Sequence, residues 1–216
     1  PQENPALGLR GIRTSLWRPD LFEAQLRALL RVSPQGQCRI LLPMVTEPAE
    51  VRAVRALLEQ LRAPLDLPMP QLGAMIETPA SAMLAEGIAR EADFLSIGTN
   101  DLTQYTLAMD RGHAELASRL DGLHPAILAL IERVGAAGAK HGKLVAVCGG
   151  LASDPVAAAL LLGLGVRELS VVPTQIPALK SRLASLTLDH CRELATRALA
   201  LDSAEDVRRL ARGAAS

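Results

Sequence analysis

Aromatic residues are almost missing from this chain of 216: one Trp, one Tyr and two Phe make up 2% of it. Proteins that grip single-stranded nucleic acid stack its bases on aromatic rings, so that class of function has almost nothing to work with here. An excess of charge is missing too. Lys plus Arg and Asp plus Glu both number 23, which leaves no electrostatic footprint for nucleic acid or an acidic membrane surface, and recognition has to be local. Cysteine is sparse: Cys38, Cys148 and Cys191 lie far apart and form no C-x-x-C pair, which argues against a disulfide framework or a zinc knuckle and fits a reducing, cytoplasmic setting. No apolar run is long enough to span a bilayer, and the opening PQENPALGLR has no feature of a secretion signal. The first residue is not Met, so the chain reads as a processed product or a part of something longer.

What the sequence does contain is alternation. Short apolar runs at 38–44 (CRILLPM), 72–77 (LGAMIE), 92–98 (ADFLSIG), 143–149 (KLVAVCG) and 167–172 (RELSVV) read as five strands. Between them lie helical patterns: EPAEVRAVRALLEQLRA, with Val51, Val54, Leu58 and Leu61 on one face; TPASAMLAEGIAR, with Thr78 as cap and Pro79 in its first turn; HPAILALIERVGAAGAKHG; and DPVAAALLLGLG. The segment from Ile176 onward reads as helices, and RAPLDLPMPQ, with three prolines, as a loop. Strands apolar on both faces that alternate with helices imply a covered parallel sheet. An open doubly wound sheet and a (β/α)8 TIM barrel both satisfy that. The barrel is favoured because polar residues fall at the carboxyl ends of several strands and no Gly-rich phosphate loop is found. Five strands are fewer than a closed barrel needs, so the expectation is a single domain over 1–216, an incomplete barrel with about five of eight βα units and three units to be supplied before residue 1.

The third strand runs into FLSIGTNDLTQYTLAMDRG, where Asn100, Asp101, Asp110 and Arg111 crowd behind an apolar run. Glu77 and Asp101 end up above adjacent parallel strands. Each alone could merely cap a helix; together, beside Asn100, they favour a hard divalent cation such as Mg2+, which takes one or two carboxylates plus ligand oxygens. Arg10 and Arg111 lie in polar loops next to glycines, and a planar guanidinium suits phosphate and carboxylate. Cys148 ends a strand and precedes two glycines; it is either a small core residue or a thiol facing a ligand as proton donor. Cys38 and Cys191 read as structural, His141 and His190 as surface positions, and His113 as near the site without metal-ligand spacing.

These residues are recognisable. NPALGLRGIR, ILLPMV, AMIETPASA, DFLSIGTNDLTQYTLAMDRG, HPAILALI, VCGGLASDP and LGLGVRELSVVP together resemble the C-terminal, phosphoenolpyruvate-binding domain of Enzyme I of the bacterial sugar phosphotransferase system, most closely the module found in multiphosphoryl transfer proteins. They resemble less closely the barrel of pyruvate phosphate dikinase and phosphoenolpyruvate synthase. The resemblance implies a TIM barrel that binds phosphoenolpyruvate (PEP) and Mg2+ and releases pyruvate as the phosphoryl group passes to a histidine on a separate domain, and from there to the phosphocarrier protein HPr. It implies that Glu77 and Asp101 hold the metal, that Arg10, Asn100 and Arg111 hold the substrate, and that Cys148 protonates the enolate. It also implies a cytoplasmic homodimer that needs the phosphohistidine domain for turnover, so that this chain alone is inactive. A PEP-sensing or dimerisation module without chemistry is the alternative. Two positions depart from the family pattern: Gly150 stands where CGE is common, and His113 where Asn is frequent.

Overall fold

The computed structural model of the chain describes residues 3–34 and 36–214. Two helices, α1 (Ile12–Trp17) and α2 (Pro19–Leu30), precede β1 (Arg39–Leu42). Then α3 (Pro48–Arg62) leads to β2 (Gln71–Ile76), and α4 (Pro79–Met83) and α5 (Ala85–Glu91) lead to β3 (Phe94–Gly98). After α6 (Thr99–Leu107), α7 (Ala114–Ala117) and α8 (Pro125–His141) comes β4 (Leu144–Cys148), and α9 (Ala157–Gly163) reaches β5 (Glu168–Leu169). Three helices follow: α10 (Ile176–Ala184), α11 (Leu188–Leu199) and α12 (Ala204–Gly213).

The local reasons are those the sequence offers. In α3, Val51, Val54, Leu58 and Leu61 are each at most 2% exposed, the stripe their spacing predicts. Its start is a reciprocal box in which Glu47 and Glu50 each bond the other's backbone N–H. Thr78 caps α4 by accepting from Ser81 N, with Pro79 at the first helical position.

All five strands are parallel and lie in the order β1-β2-β3-β4-β5. A doubly wound sheet reverses its strand order at a switch point; this one never does. Right-handed crossovers that always step to the next neighbour place every connecting helix on the same side, which is how a (β/α) barrel is built. The expected fold class therefore holds: five βα units of a TIM-type wall, too few to close on themselves, with β1 and β5 as the edges of the described sheet. Strands β2 and β3 are buried almost throughout, as strands covered on both faces should be.

Three boundaries differ from the sequence reading. The helix expected over TPASAMLAEGIAR is broken at Leu84, where φ −97° and ψ 14° leave the helical region; the carbonyl of Met83 accepts instead from Arg133 Nε on α8. The fifth strand shrinks to two residues, because after Ser170 N donates to Val147 O the chain turns away toward Pro173, which has no N–H to offer a ladder. The polar stretch after β3, to which the sequence reading gives no element, opens with the nine-residue helix α6.

Helix α8 crosses the loop before β5 at Gly135, where a Cβ would sit 1.9 Å from the backbone oxygen of Leu164. Backbone cannot retreat as a side-chain tip can, so Gly135→Ala should cost at least about 1–3 kcal/mol through overpacking. Urea unfolding followed by circular dichroism measures it, and a midpoint equal to wild type would show that α8 can shift freely.

Candidate functional site

The register of the sheet brings three sequence-predicted residues to one end. Ile76 pairs with Ile97 and Gly98 with Cys148, so Glu77 follows directly above Gly98, with Cys148 on the other side of it. Glu77 is 5% exposed. It does not cap α4, a role Thr78 fills. Instead its Oε1 accepts from Met44 N at 2.6 Å, and Met44 reaches that position with φ +61°, in the left-handed region non-glycine residues seldom enter. Glycine at 98 is needed for the same carboxylate: a Cβ there would lie 2.7 Å from Glu77 Oε2.

Asn100 and Asp101 fall in the first turn of α6, one step beyond the strand end where the sequence reading put them. A carboxylate is favoured there by the helix dipole, and Asp101 is 8% exposed. Two arginines come to it from distant parts of the chain. Arg10 Nη2 donates to Asp101 Oδ2 at 3.2 Å, and Arg111 Nη2 stands 3.6 Å from Oδ1, an oxygen that is buried with no hydrogen-bond partner. Arg10 is aimed by Tyr105, whose hydroxyl accepts from Nη1 at 3.0 Å and donates to Ala6 O. Its neighbour Gly11, at φ +58°, lets the segment press onto Pro43 O and Met44. Arg111 is held through its backbone, its N–H donating to Gln104 Oε1 at 3.0 Å. Asn100 turns away from this pair and accepts from Gly150 N at 2.9 Å.

Burial is the main cause that raises the Glu77 carboxyl above its ordinary range; the Asp101 charge adds to it, while the Met44 N–H and the two arginines oppose it. Two carboxylates close enough to disturb each other form a donor set that suits a hard cation. Among the described residues no three or more His, Cys, Asp or Glu side chains converge as ligands, so a cation here would draw its remaining oxygens from a bound ligand and water, the pattern Mg2+ favours.

The Cys148 thiol is pushed up by burial and by the Glu77 charge, against a lowering from Ser96. Ser96 Oγ approaches Sγ at 3.9 Å, and the thiol itself points to Ile97 O at 3.5 Å. At neutral pH this cysteine therefore carries its proton. Cys191 is fully buried on α11, and Cys38 is half-buried immediately before β1, at the amino end of the sheet. His190 and His113 are exposed, but His141, expected at the surface, is half-buried at the end of α8, 3.7 Å from Glu86 Oε1.

Sequence reasoning missed the residues that aim others: Met44, Ser96, Gln104, Tyr105 and Thr99, whose Oγ1 donates to Cys148 O at 2.8 Å. It also missed Arg208 on α12, which bonds both oxygens of Asp121 and Oδ2 of Asp154; these carboxylates push its guanidinium up. Arg208 and Asp154 line a 440 Å³ cavity together with Thr99, Asn100 and Arg111. A second cavity of 510 Å³ lies on the Arg10 side of Arg111. No local pattern marks an arginine whose partners lie 87 and 54 residues away in the chain.

Because the folded state holds the Glu77 proton more tightly than the unfolded chain, the stability this group contributes is present below its ordinary value of 4.5 and is lost as pH rises through the raised folded value. Glu77→Gln keeps the acceptor for Met44 N and removes the charge. Its melting temperature should match wild type near pH 4 and exceed it increasingly above that; a constant difference across pH would show that Glu77 is not strained by ionisation. For Cys148, iodoacetamide labelling read by mass spectrometry at pH 8 should lag that of a free thiol, and Ser96→Ala should slow it further. Labelling as fast as a free thiol would contradict the raised pKa.

The family model described as "PEP-utilising enzyme, PEP-binding domain" matches residues 1–188. Among curated proteins, a multiphosphoryl transfer protein of Xanthomonas campestris pv. campestris is 51% identical over 210 residues, covering 97% of this chain and 25% of that protein. One of Rhodobacter capsulatus is 47% identical over 209 residues, with the same two coverages. A phosphoenolpyruvate-protein phosphotransferase of Cupriavidus necator is 46% identical over 197 residues, 88% of this chain and 33% of that protein. The chain thus spans a quarter to a third of the length of these relatives. Among solved structures, a citrate lyase of Burkholderia xenovorans superposes with a TM-score of 0.58 at 18% identity, over 87% of this chain and 65% of that one, which speaks for the fold alone. The chain belongs to the PEP-utilising enzymes, as a PEP-binding domain.

Proposed function

We propose that the chain is the substrate half of a PEP-dependent phosphotransferase: it binds PEP with Mg2+ and yields pyruvate while the phosphoryl group passes to a histidine on another domain of the same enzyme, and onward to the phosphocarrier HPr. The observation that carries this reading is the pairing of two buried carboxylates, Glu77 and Asp101, with two arginines, Arg10 and Arg111, beside the protonated thiol of Cys148. The names of the relatives favour a phosphotransferase-system role over that of the dikinase.

Glu77 and Asp101 would hold the cation, which supplies neutralisation of charge on the phosphoryl oxygens. Arg10 and Arg111 would grip phosphate and carboxylate in planar, charge-assisted bonds, and Asn100, already ordered by Gly150 N, would fix the orientation. When the phosphoryl group leaves, the substrate remains as the enolate of pyruvate. Cys148 would then give its Sγ proton to the terminal carbon of the enolate, forming the methyl group; the resulting thiolate would be held by Ser96 Oγ until it regains a proton from solvent. A thiol raised by burial suits this task, since it reaches the reaction protonated at neutral pH. The phosphoryl acceptor, a homodimeric assembly and a cytoplasmic location belong to the same proposal; no helix of the described residues is long and apolar enough to cross a membrane.

Calorimetry tests the reading. PEP should bind this chain more tightly with Mg2+ than without, and Asp101→Ala should abolish that dependence. PEP binding by the wild type that ignores Mg2+ would overturn the assignment of the two carboxylates.

A further inference from the structure

The proposed roles of Asp101, Arg10 and Arg111 conflict with where these side chains stand. Asp101 is to hold a cation and the arginines an anion, yet both arginines are on Asp101 itself. Arg10 Nη2 bonds Oδ2 at 3.2 Å, and Arg111 Nη2 faces Oδ1 at 3.6 Å. The second approach is too long for a hydrogen bond, and Oδ1 is left buried without one. A divalent cation arriving at Asp101 would meet two positive charges in a partly desolvated place, where repulsion is stronger than in water.

The two arginines differ in how firmly they are held. Arg10 has Tyr105 as a second anchor. The Arg111 guanidinium is about half exposed, and among the described residues it makes no hydrogen bond of its own. It stands between the 440 Å³ cavity that Asn100 lines and the 510 Å³ cavity that Arg10 lines, so it has room to swing off Asp101 toward a ligand in either.

We infer that Arg10 and Arg111 guard the Asp101 carboxylate and make it selective: the cation is admitted by a ligand with two anionic groups, which takes both guanidinium groups off Asp101, and is kept out when it comes alone. A ligand with one anionic group frees one oxygen and leaves the other guarded. A compound with a phosphate and a carboxylate a few bonds apart satisfies the device; inorganic phosphate or a simple 2-oxo acid does not. By linkage the preference is mutual, so the cation tightens the anion by the same factor. The inference rests on the reading of Asp101 as a cation ligand given above.

A ligand that itself chelates the cation would also raise cation affinity, so the decisive measurement has no ligand in it. Free Mn2+ is followed by electron paramagnetic resonance during titration of this chain, of Arg10→Met and of Arg111→Met, with circular dichroism on each to verify folding; the exposed Arg111 provides a variant with little fold to lose. With Mn2+ alone, both variants should bind at least about fivefold more tightly than wild type, while their affinity for PEP falls. In wild type, PEP should tighten Mn2+ more than inorganic phosphate or pyruvate does. Equal Mn2+ affinity in wild type and both variants, with a PEP-dependent complex still forming, overturns the guard and leaves the cation assignment standing. Phosphate or pyruvate acting as strongly as PEP overturns the two-anion requirement. No Mn2+ binding to wild type even with saturating PEP overturns the cation assignment, and the guard with it.

Discussion

Two like charges buried side by side are the constraint on which this architecture turns. Glu77 and Asp101 leave water at the end of a parallel sheet, where burial and the Asp101 charge both disfavour ionisation of Glu77. Their surroundings read as a set of answers to that cost. The Met44 amide is turned into a strained conformation to reach one oxygen, Gly98 clears the space for another, the first turn of α6 offers its dipole, and two guanidinium groups arrive from residues 10 and 111. Sites that store strain of this kind are places where a ligand can release it.

The fold supplies the meeting point more than the stability of the site. Sequential parallel pairing puts residues 77, 98 and 148 in one row, although they come from three separate βα units. A helix that starts immediately at Thr99, with no intervening loop, fixes Asp101 and the Gln104 and Tyr105 side chains that steer the arginines. Arg208 then ties α12 to the loops that carry Asp121 and Asp154, so the far end of the chain takes part in shaping the cavity beside Asn100.

How much of this could be read from the residues alone follows from the range of each signal. Strands 38–44, 72–77, 92–98 and 143–149, the apolar stripe of α3, and the Thr78–Pro79 helix start are set by neighbours a few residues away, and all were legible. Glu77, Asp101 and Cys148 stand out because a polar residue at or just past the carboxyl end of a buried strand has few structural reasons to be there, and Arg10 and Arg111 because they lie in polar loops next to glycines rather than on the outer face of a helix. What failed was long-range or competitive. The truncation of β5 depends on where its partner strand still offers a carbonyl, and the break at Leu84 on an arginine of α8. Asn100 reads as a substrate ligand beside Arg10 and Arg111, but one acceptor site of its Oδ1 goes to the Gly150 amide, a contact between residues 50 apart that no spacing rule foresees.

Gly150 itself carries a consequence for traffic into the site. A Cβ built on it would lie 3.4 Å from Asn100 Oδ1, so the glutamate that Enzyme I sequences often place at this position would project beside Asn100, at the lip of the cavity. With glycine, the lip loses a negative charge while Arg111 stays nearby. An approaching dianion or trianion then meets a less repulsive field before any contact is made, and the benefit falls on how often it arrives and on how much added salt slows that arrival, not on how firmly it is held once inside.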